Sequence, residues 1–230
     1  MAKAKRNPEA VAAIRQNILD ESLALIAETG YRGFSMRKLG ARLGIAAKTV
    51  YNYFHNQDEI YLALLTRGFE DLHATCRTAA ESRENPLDRV SAMCRAFVDF
   101  GIEHANLYNL MFTWHVPKFK DYVDTPMEPV ARAELDTALT LSDLFMKNIA
   151  ACADADMPMV EDQARFLMIR IWSQAHGYIA GINNTLLDYM HESPLAIKND
   201  MIDAMLADFQ AAMRDHTPHK AASKKTLTNS

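Results

Sequence analysis

Hydrophobic residues recur along this chain at helical spacing, and no segment shows the alternation that is typical of a half-buried strand. Glycine and proline residues interrupt the pattern, for example at Gly30, Gly44 and Pro86. The pattern therefore predicts an all-α protein of about nine helices. We expect them over residues 8–28, 36–43, 48–54, 57–85, 86–104, 106–114, 127–154, 159–187 and 194–215.

Two short helices joined by a glycine turn follow the first helix. Ser35 is a good N-cap for the segment MRKLGARL, and Gly44 is placed to end that helix. A longer helix followed by two short ones is the helix-turn-helix arrangement. We expect its small core to contain Leu39, Leu43, Ile45, Val50 and Phe54, and the first helix to bury Ile14, Ile18, Leu25 and Ile26.

The segment KTVYNYF, residues 48–54, predicts a short helix with two different faces. Val50 and Phe54 lie one turn apart and can be buried together. Lys48 and Asn52 then point roughly the opposite way, with Thr49 beside them, and the tyrosines at 51 and 53 fall on the flanks. A helix with an apolar back and a polar front indicates that the front faces a partner.

Formal charge is unevenly distributed. Up to Arg67 the chain has ten Lys and Arg residues against six Asp and Glu, and after it 15 against 23. A basic first part on an acidic remainder suggests an anionic partner for the first part alone. The N-terminus lacks the apolar core of a signal peptide, and no segment approaches the ~20 apolar residues of a membrane span. Three cysteines without C-x-x-C spacing suggest reduced thiols, so we expect a cytoplasmic protein.

Residues 34–65, FSMRKLGARLGIAAKTVYNYFHNQDEIYLALL, resemble the DNA-binding domain of the TetR family of transcriptional regulators. The resemblance implies a three-helix DNA-binding domain, a C-terminal helical bundle and a double-stranded DNA operator as partner. It implies base contacts from Ala47, Lys48, Tyr51 and Asn52, a contact of Arg37 with a base edge or the nearby backbone, and phosphate contacts from Thr49, Tyr53 and Gln57. The sequence departs from the family pattern in two places: Ala46 offers no side-chain cap, and Gln57 stands where lysine is usual.

The remaining chain resembles the family's ligand-binding and dimerisation domain. RIWSQAHGYIAGIN, residues 170–183, is similar to the W-x-x-x-H-G signature of one subfamily, with HANLYNLMF, residues 104–112, as its companion. The resemblance implies a homodimer through the last two helices and an unknown small-molecule effector. Candidate pocket residues, each of which could also be plain core, are Phe97, Phe100, Gly101, Met111, Phe112, Trp114, Trp172, His176 and Tyr178.

These patterns divide the chain into a basic arm with the helix-turn-helix (1–56), a ligand-binding and dimerisation domain (57–215) and a disordered tail (216–230). The function they imply is that of a ligand-responsive regulator, with repression as the family default. Two alternatives remain: an architectural DNA binder without sequence preference, and a helical-bundle metalloenzyme. Glu70 and His73 have E-x-x-H spacing, but a di-iron site needs further carboxylates. We expect no enzyme, cofactor or metal.

Overall fold

The all-α prediction is confirmed by the computed structural model, which describes residues 7–154, 156 and 158–215. This part of the chain forms nine α-helices and no strand. They are α1 (Pro8–Thr29), α2 (Met36–Arg42), α3 (Ala47–Val50), α4 (Gln57–Glu81), α5 (Pro86–Glu103), α6 (Ala105–Tyr108), α7 (Glu128–Ala150), α8 (Glu161–Asn183) and α9 (Lys198–Asp215). The predicted tail and the basic residues before Asn7 lie outside the described residues.

Polar side chains begin the helices where the sequence predicted. The Ser35 hydroxyl accepts a hydrogen bond from the Lys38 amide at 3.3 Å, and Asn85 caps α5 ahead of Pro86. Gly44 has φ +68°, a left-handed conformation that suits glycine at the turn after α2. Residues 106–114 were predicted as one helix. The structure is helical over 105–113, but the type changes within it: α6 ends at Tyr108, and a π-helical turn follows over Asn109–Thr113.

The helix-turn-helix depends on a close approach of α2 and α3. A Cβ atom added at Gly40 would lie 2.9 Å from the Ile45 carbonyl oxygen and 3.0 Å from the Ala47 amide nitrogen. Both are backbone atoms, so any side chain at this position would push α3 away from α2. Glycine at position 40 therefore sets the position of α3.

The core of α1 is smaller than predicted. Ile18, Leu25 and Ile26 are buried, but Ile14 is 40% exposed. At this turn of the helix, Arg15 makes the contact with the neighbouring elements, because its guanidinium lies over the Phe54 ring. The prediction that Ile14 is buried was therefore wrong, since periodicity assigns a face but not which of its side chains meets a neighbour.

The long helix α4 joins the helix-turn-helix to the rest of the molecule. It packs against α5 and α7, while α8 packs against α5, α7 and α9. Buried residues from α1 through α9 form one contiguous hydrophobic cluster. α8 and α9 pack against each other, and each keeps one face exposed.

Candidate DNA-binding face and ligand cavity

The back of α3 is buried as predicted. Val50 and Phe54 are fully buried, and the Phe54 amide donates to the Val50 carbonyl at 3.1 Å. The α-helix itself spans only Ala47–Val50, and hydrogen bonds from the amides of residues 51–54 continue it as turns. Two buried side chains one turn apart thus fix the rotation of this short helix about its axis.

The front of α3 faces solvent. Lys48 and Asn52 are exposed, and Tyr51 is 51% exposed despite its large ring. Their side chains make no hydrogen bond or ion pair with any other residue that the structure describes. Arg37 on α2 is exposed as well, and Ala47, Thr49, Tyr53 and Gln57 are half-buried around these residues. We name the exposed set Arg37, Lys48, Tyr51 and Asn52 the polar front.

Arg15 of α1 holds the end of α3, a role that sequence reasoning missed. Its guanidinium lies 4.0 Å from the centre of the Phe54 ring and donates a hydrogen bond to the Tyr53 carbonyl oxygen. It also approaches the Glu59 carboxylate at 4.0 Å. A basic residue on an amphipathic helix gave no signal of this contact, because residues 15 and 54 meet only in the tertiary structure.

A tyrosine–carboxylate cluster joins the helix-turn-helix to the body. The Tyr31 hydroxyl donates to an Asp58 carboxylate oxygen at 2.5 Å, and the Tyr122 hydroxyl lies 3.4 Å from the same oxygen. The Tyr61 hydroxyl donates to the Pro117 carbonyl at 2.8 Å. Burial raises the pKa of all three tyrosines, so they remain protonated donors. The loop before α7 is thereby tied to the start of α4.

Glu134 on α7 is a buried carboxyl near this cluster. Burial raises its pKa from 4.5 to about 7, and the nearby Lys118 ammonium opposes that rise. Burial in turn lowers the pKa of Lys118. The folded protein therefore keeps a proton on Glu134 at pH values where the unfolded chain has lost it, so this group's contribution to stability falls as pH rises from 4.5 to about 7.

We expect Glu134→Gln to raise the free energy of unfolding at pH 8, by on the order of 1 kcal/mol after solvent screening, and to leave it almost unchanged at pH 5. Chemical denaturation at the two pH values measures this difference. Asp136→Asn neutralises an exposed carboxylate on the same helix and is the matched control. An equal gain for both variants, or none for Glu134→Gln, would contradict a burial cost at Glu134.

A cavity of about 300 Å³ opens between α4, α5, α7 and α8. Three of the predicted pocket residues, Phe97, Phe112 and Trp172, line it. The other lining residues were not predicted. They are Phe69, Cys94, Ala138, Leu139, Leu141, Ser142, Phe145, Met168, Ile169, Ile171 and Ala175. Several come from α4 and α7, two helices in which the sequence offered no aromatic signature to single them out.

The remaining predicted pocket residues lie outside this lining and make other contacts. His176 stacks on Trp172 with ring centres 4.8 Å apart, and its Nδ1 lies 2.9 Å from the Tyr108 hydroxyl. Burial lowers the pKa of His176, which favours the neutral ring. The Tyr178 hydroxyl donates to the Pro194 carbonyl at 2.8 Å. Buried packing accounts for Phe100, Gly101 and Met111, and Trp114 is half-buried.

Neither Glu70 nor His73 joins a group of three side chains that could hold a metal ion, and no such group occurs in the ranges the structure covers. Within those ranges, no helix has the length and apolar character needed to cross a membrane.

A three-helix helix-turn-helix unit joined to a helical body is an architecture of DNA-binding regulators. This chain belongs to the TetR family. Residues 18–64 match the family model "Bacterial regulatory proteins, tetR family", and residues 90–209, more than half of the chain, match "Tetracyclin repressor-like, C-terminal domain".

The named relatives are transcription regulators and include an activator and a repressor. The activator FasR of Mycolicibacterium smegmatis is 30% identical over 113 residues, 49% of this chain and 48% of that protein. The repressor KstR of the same organism is 30% identical over 93 residues, 40% of this chain and 46% of that protein. The chain thus spans about half the length of the curated relatives it matches. A tetR-family regulatory protein from Rhodococcus RHA1 shares the fold, with a TM-score of 0.66, 16% identity, and 84% of this chain and 95% of that chain covered.

Proposed function

We propose that this protein is a ligand-responsive, sequence-specific DNA-binding transcription regulator without catalytic activity. The observation that carries the proposal is the polar front: three of its four residues stand in solvent on α3 and its continuing turns, and the back of that helix is fully buried. Such a helix can enter a major groove without losing its own packing. In this proposal the protein works in the cytoplasm as a homodimer, and it represses until a small molecule releases it from a palindromic operator.

The polar front has the chemistry that reads base edges. A lysine binds the acceptors of guanine, and an asparagine can pair with adenine. Ala47 offers a methyl group to thymine, and Arg37 reaches a base edge or the backbone from α2. We assign phosphate contacts, which position the protein but carry no sequence information, to Thr49, Tyr53 and Gln57.

The exposed faces of α8 and α9 support a two-fold dimer. On α8, the exposed residues Ser173 and Gly177 lie one turn apart and outside the lining of the cavity. A Cβ added at Gly177 would meet no atom within 4 Å, so this glycine is not required by packing within the chain. On α9, Met201 and Ala204 are exposed. A surface of small and apolar residues on two adjacent helices suits close packing against a second copy.

Helix α4 offers a route from ligand to DNA. Phe69 on α4 lines the cavity, and the same helix begins at Gln57, shortly after α3 and the turns that continue it. Asp58 on its first turn is hydrogen-bonded to Tyr31 on one side and faces Tyr122 on the other. A ligand that moves α4 at Phe69 would therefore move α3 and change the distance between the two polar fronts of a dimer. Binding of successive major grooves requires about 34 Å between them.

We retain the division into a DNA-binding part up to residue 56 and a ligand-binding and dimerisation part from residue 57. Asn56, which separates them, caps α4 through its side chain. The alternative of an architectural DNA binder is less favoured, because the acidic remainder of the chain would repel DNA outside a specific docking geometry. Both activation and repression of transcription are compatible with the family, since the named relatives include one activator and one repressor.

Selection of genomic DNA fragments by the purified protein, followed by footprinting of the tightest fragment, tests the proposal. We expect a protected palindrome whose half-sites are about one helical turn or more apart. The affinity for that fragment should exceed the affinity for random DNA by a factor of at least about 1,000 at physiological salt. Uniform binding to all fragments would instead support the architectural alternative.

A further inference from the structure

The cavity between α4, α5, α7 and α8 has an unusually uniform lining. None of its described lining residues is charged, and five of them are aromatic: Phe69, Phe97, Phe112, Phe145 and Trp172. The polar groups among the described lining residues are the Ser142 hydroxyl, the Cys94 thiol and the indole N–H of Trp172. Burial raises the pKa of Cys94, so the thiol stays neutral. These walls thus offer extensive apolar contact and no charged side chain to pair with an ion.

The size and opening of the cavity limit what can enter. At the ~30 Å³ that a water molecule occupies in the liquid, a volume of about 300 Å³ holds roughly ten heavy atoms. Leu139, Ile169 and Trp172 line the cavity and are also exposed, so they form its mouth. A ligand longer than the cavity can therefore leave one end in solvent at this mouth.

From this lining we infer that the effector of the proposed regulator inserts an uncharged hydrocarbon segment of about ten heavy atoms, and that any ionised group of the effector stays outside the mouth. The reason is the cost of desolvation. Transfer of an ionised carboxylate into a space without a counter-charge or sufficient hydrogen-bond donors is strongly unfavourable. An apolar chain loses nothing by the same transfer and gains contact with the aromatic walls.

Three ligands of equal chain length test the inference, which rests on the proposed function. They are 1-decanol, decanoate and decanedioate, each at pH 8. We expect decanol and decanoate to bind, the latter with its carboxylate at the mouth. Decanedioate carries a second carboxylate at its far end and should bind at least roughly 100-fold more weakly than decanoate.

The chain provides its own probe for this measurement. It contains two tryptophans, and Trp114→Phe leaves Trp172 in the cavity wall as the only one. Quenching or a spectral shift of Trp172 then reports occupancy, and titration calorimetry gives an independent affinity. Ala138→Phe should fill the cavity and abolish the binding of decanoate. Ala133→Phe makes the same change at an exposed position of α7 and should leave binding intact.

Equal affinities for decanoate and decanedioate, absence of decanol and decanoate binding, or unimpaired binding by Ala138→Phe would each overturn the inference. Thermal unfolding of each variant establishes that it is folded before the titration is interpreted. The measurement contains no DNA, so its failure leaves the footprinting result standing. Conversely, loss of sequence-specific DNA binding would overturn the proposed function without changing the affinities for these ligands.

Discussion

Replacing Lys48 and Tyr51 together by alanine should weaken operator binding by more than about 100-fold, the largest effect that we expect from any surface change. Both side chains are exposed on the polar front, so the change removes contacts to DNA and little intramolecular packing. The free energy of unfolding should therefore change by less than about 0.5 kcal/mol per residue. Fluorescence anisotropy with the footprinted operator gives the affinities.

Two comparisons make this result specific to base reading. Lys147→Ala removes an exposed lysine from the body and should leave the operator affinity almost unchanged. A loss that is larger on the operator than on random DNA indicates base contacts, whereas an equal loss on both indicates phosphate contacts. If the double variant bound the operator as tightly as the unaltered protein, α3 would not be the reading helix and the proposed function would fail.

The second large effect should come from Gly177→Leu. Since the space around Gly177 is empty within the chain, leucine there fits the isolated protomer and improves helix propensity by up to about 1 kcal/mol. In the proposed dimer the same side chain would hold α8 away from the second copy. We expect the dimer dissociation constant to rise at least about tenfold, with loss of operator binding because a monomer occupies only one half-site.

Gly181→Leu separates an interface effect from a packing effect. A Cβ at Gly181 would lie 2.7 Å from Leu187 Cγ of the same chain, so this variant should lose stability instead. Sedimentation velocity over a range of concentrations, together with denaturant unfolding, distinguishes the two outcomes. A Gly177→Leu protein that remains dimeric at the lowest concentration would place the interface elsewhere on the chain.

Local signals accounted for most of the helical framework. Ser35 and Asn85 cap helices because their side chains satisfy free backbone amides, and this chemistry depends only on neighbouring residues. The burial of Val50 and Phe54 followed from their spacing of one turn. Spacing specified neither the type of each helical turn nor which side chain of an apolar face meets a neighbour. The π-helical turn after Tyr108 and the exposure of Ile14 are the clearest cases.

The two candidate sites, the polar front and the cavity, also differ in how far the sequence predicted them. Three residues of the polar front lie within positions 48–52, so helical periodicity alone separated Lys48 and Asn52 from the buried residues. The cavity is built from four helices, and only three of its residues were predicted. Aromatic residues at helical spacing look alike in sequence whether they line a cavity or fill a core. Which of the two they do depends on where neighbouring helices leave space between them.

The sequence by itself determined the all-α class, the helix-turn-helix and the polar front of α3, because each depends on residues within one or two turns of each other. Only the tertiary structure decided that Arg15 holds Phe54, that Tyr122 reaches Asp58, and that α4, α5, α7 and α8 enclose an uncharged cavity. These features join residues that are distant along the chain. Their distances depend on how the helices pack, which the period of hydrophobic residues does not specify.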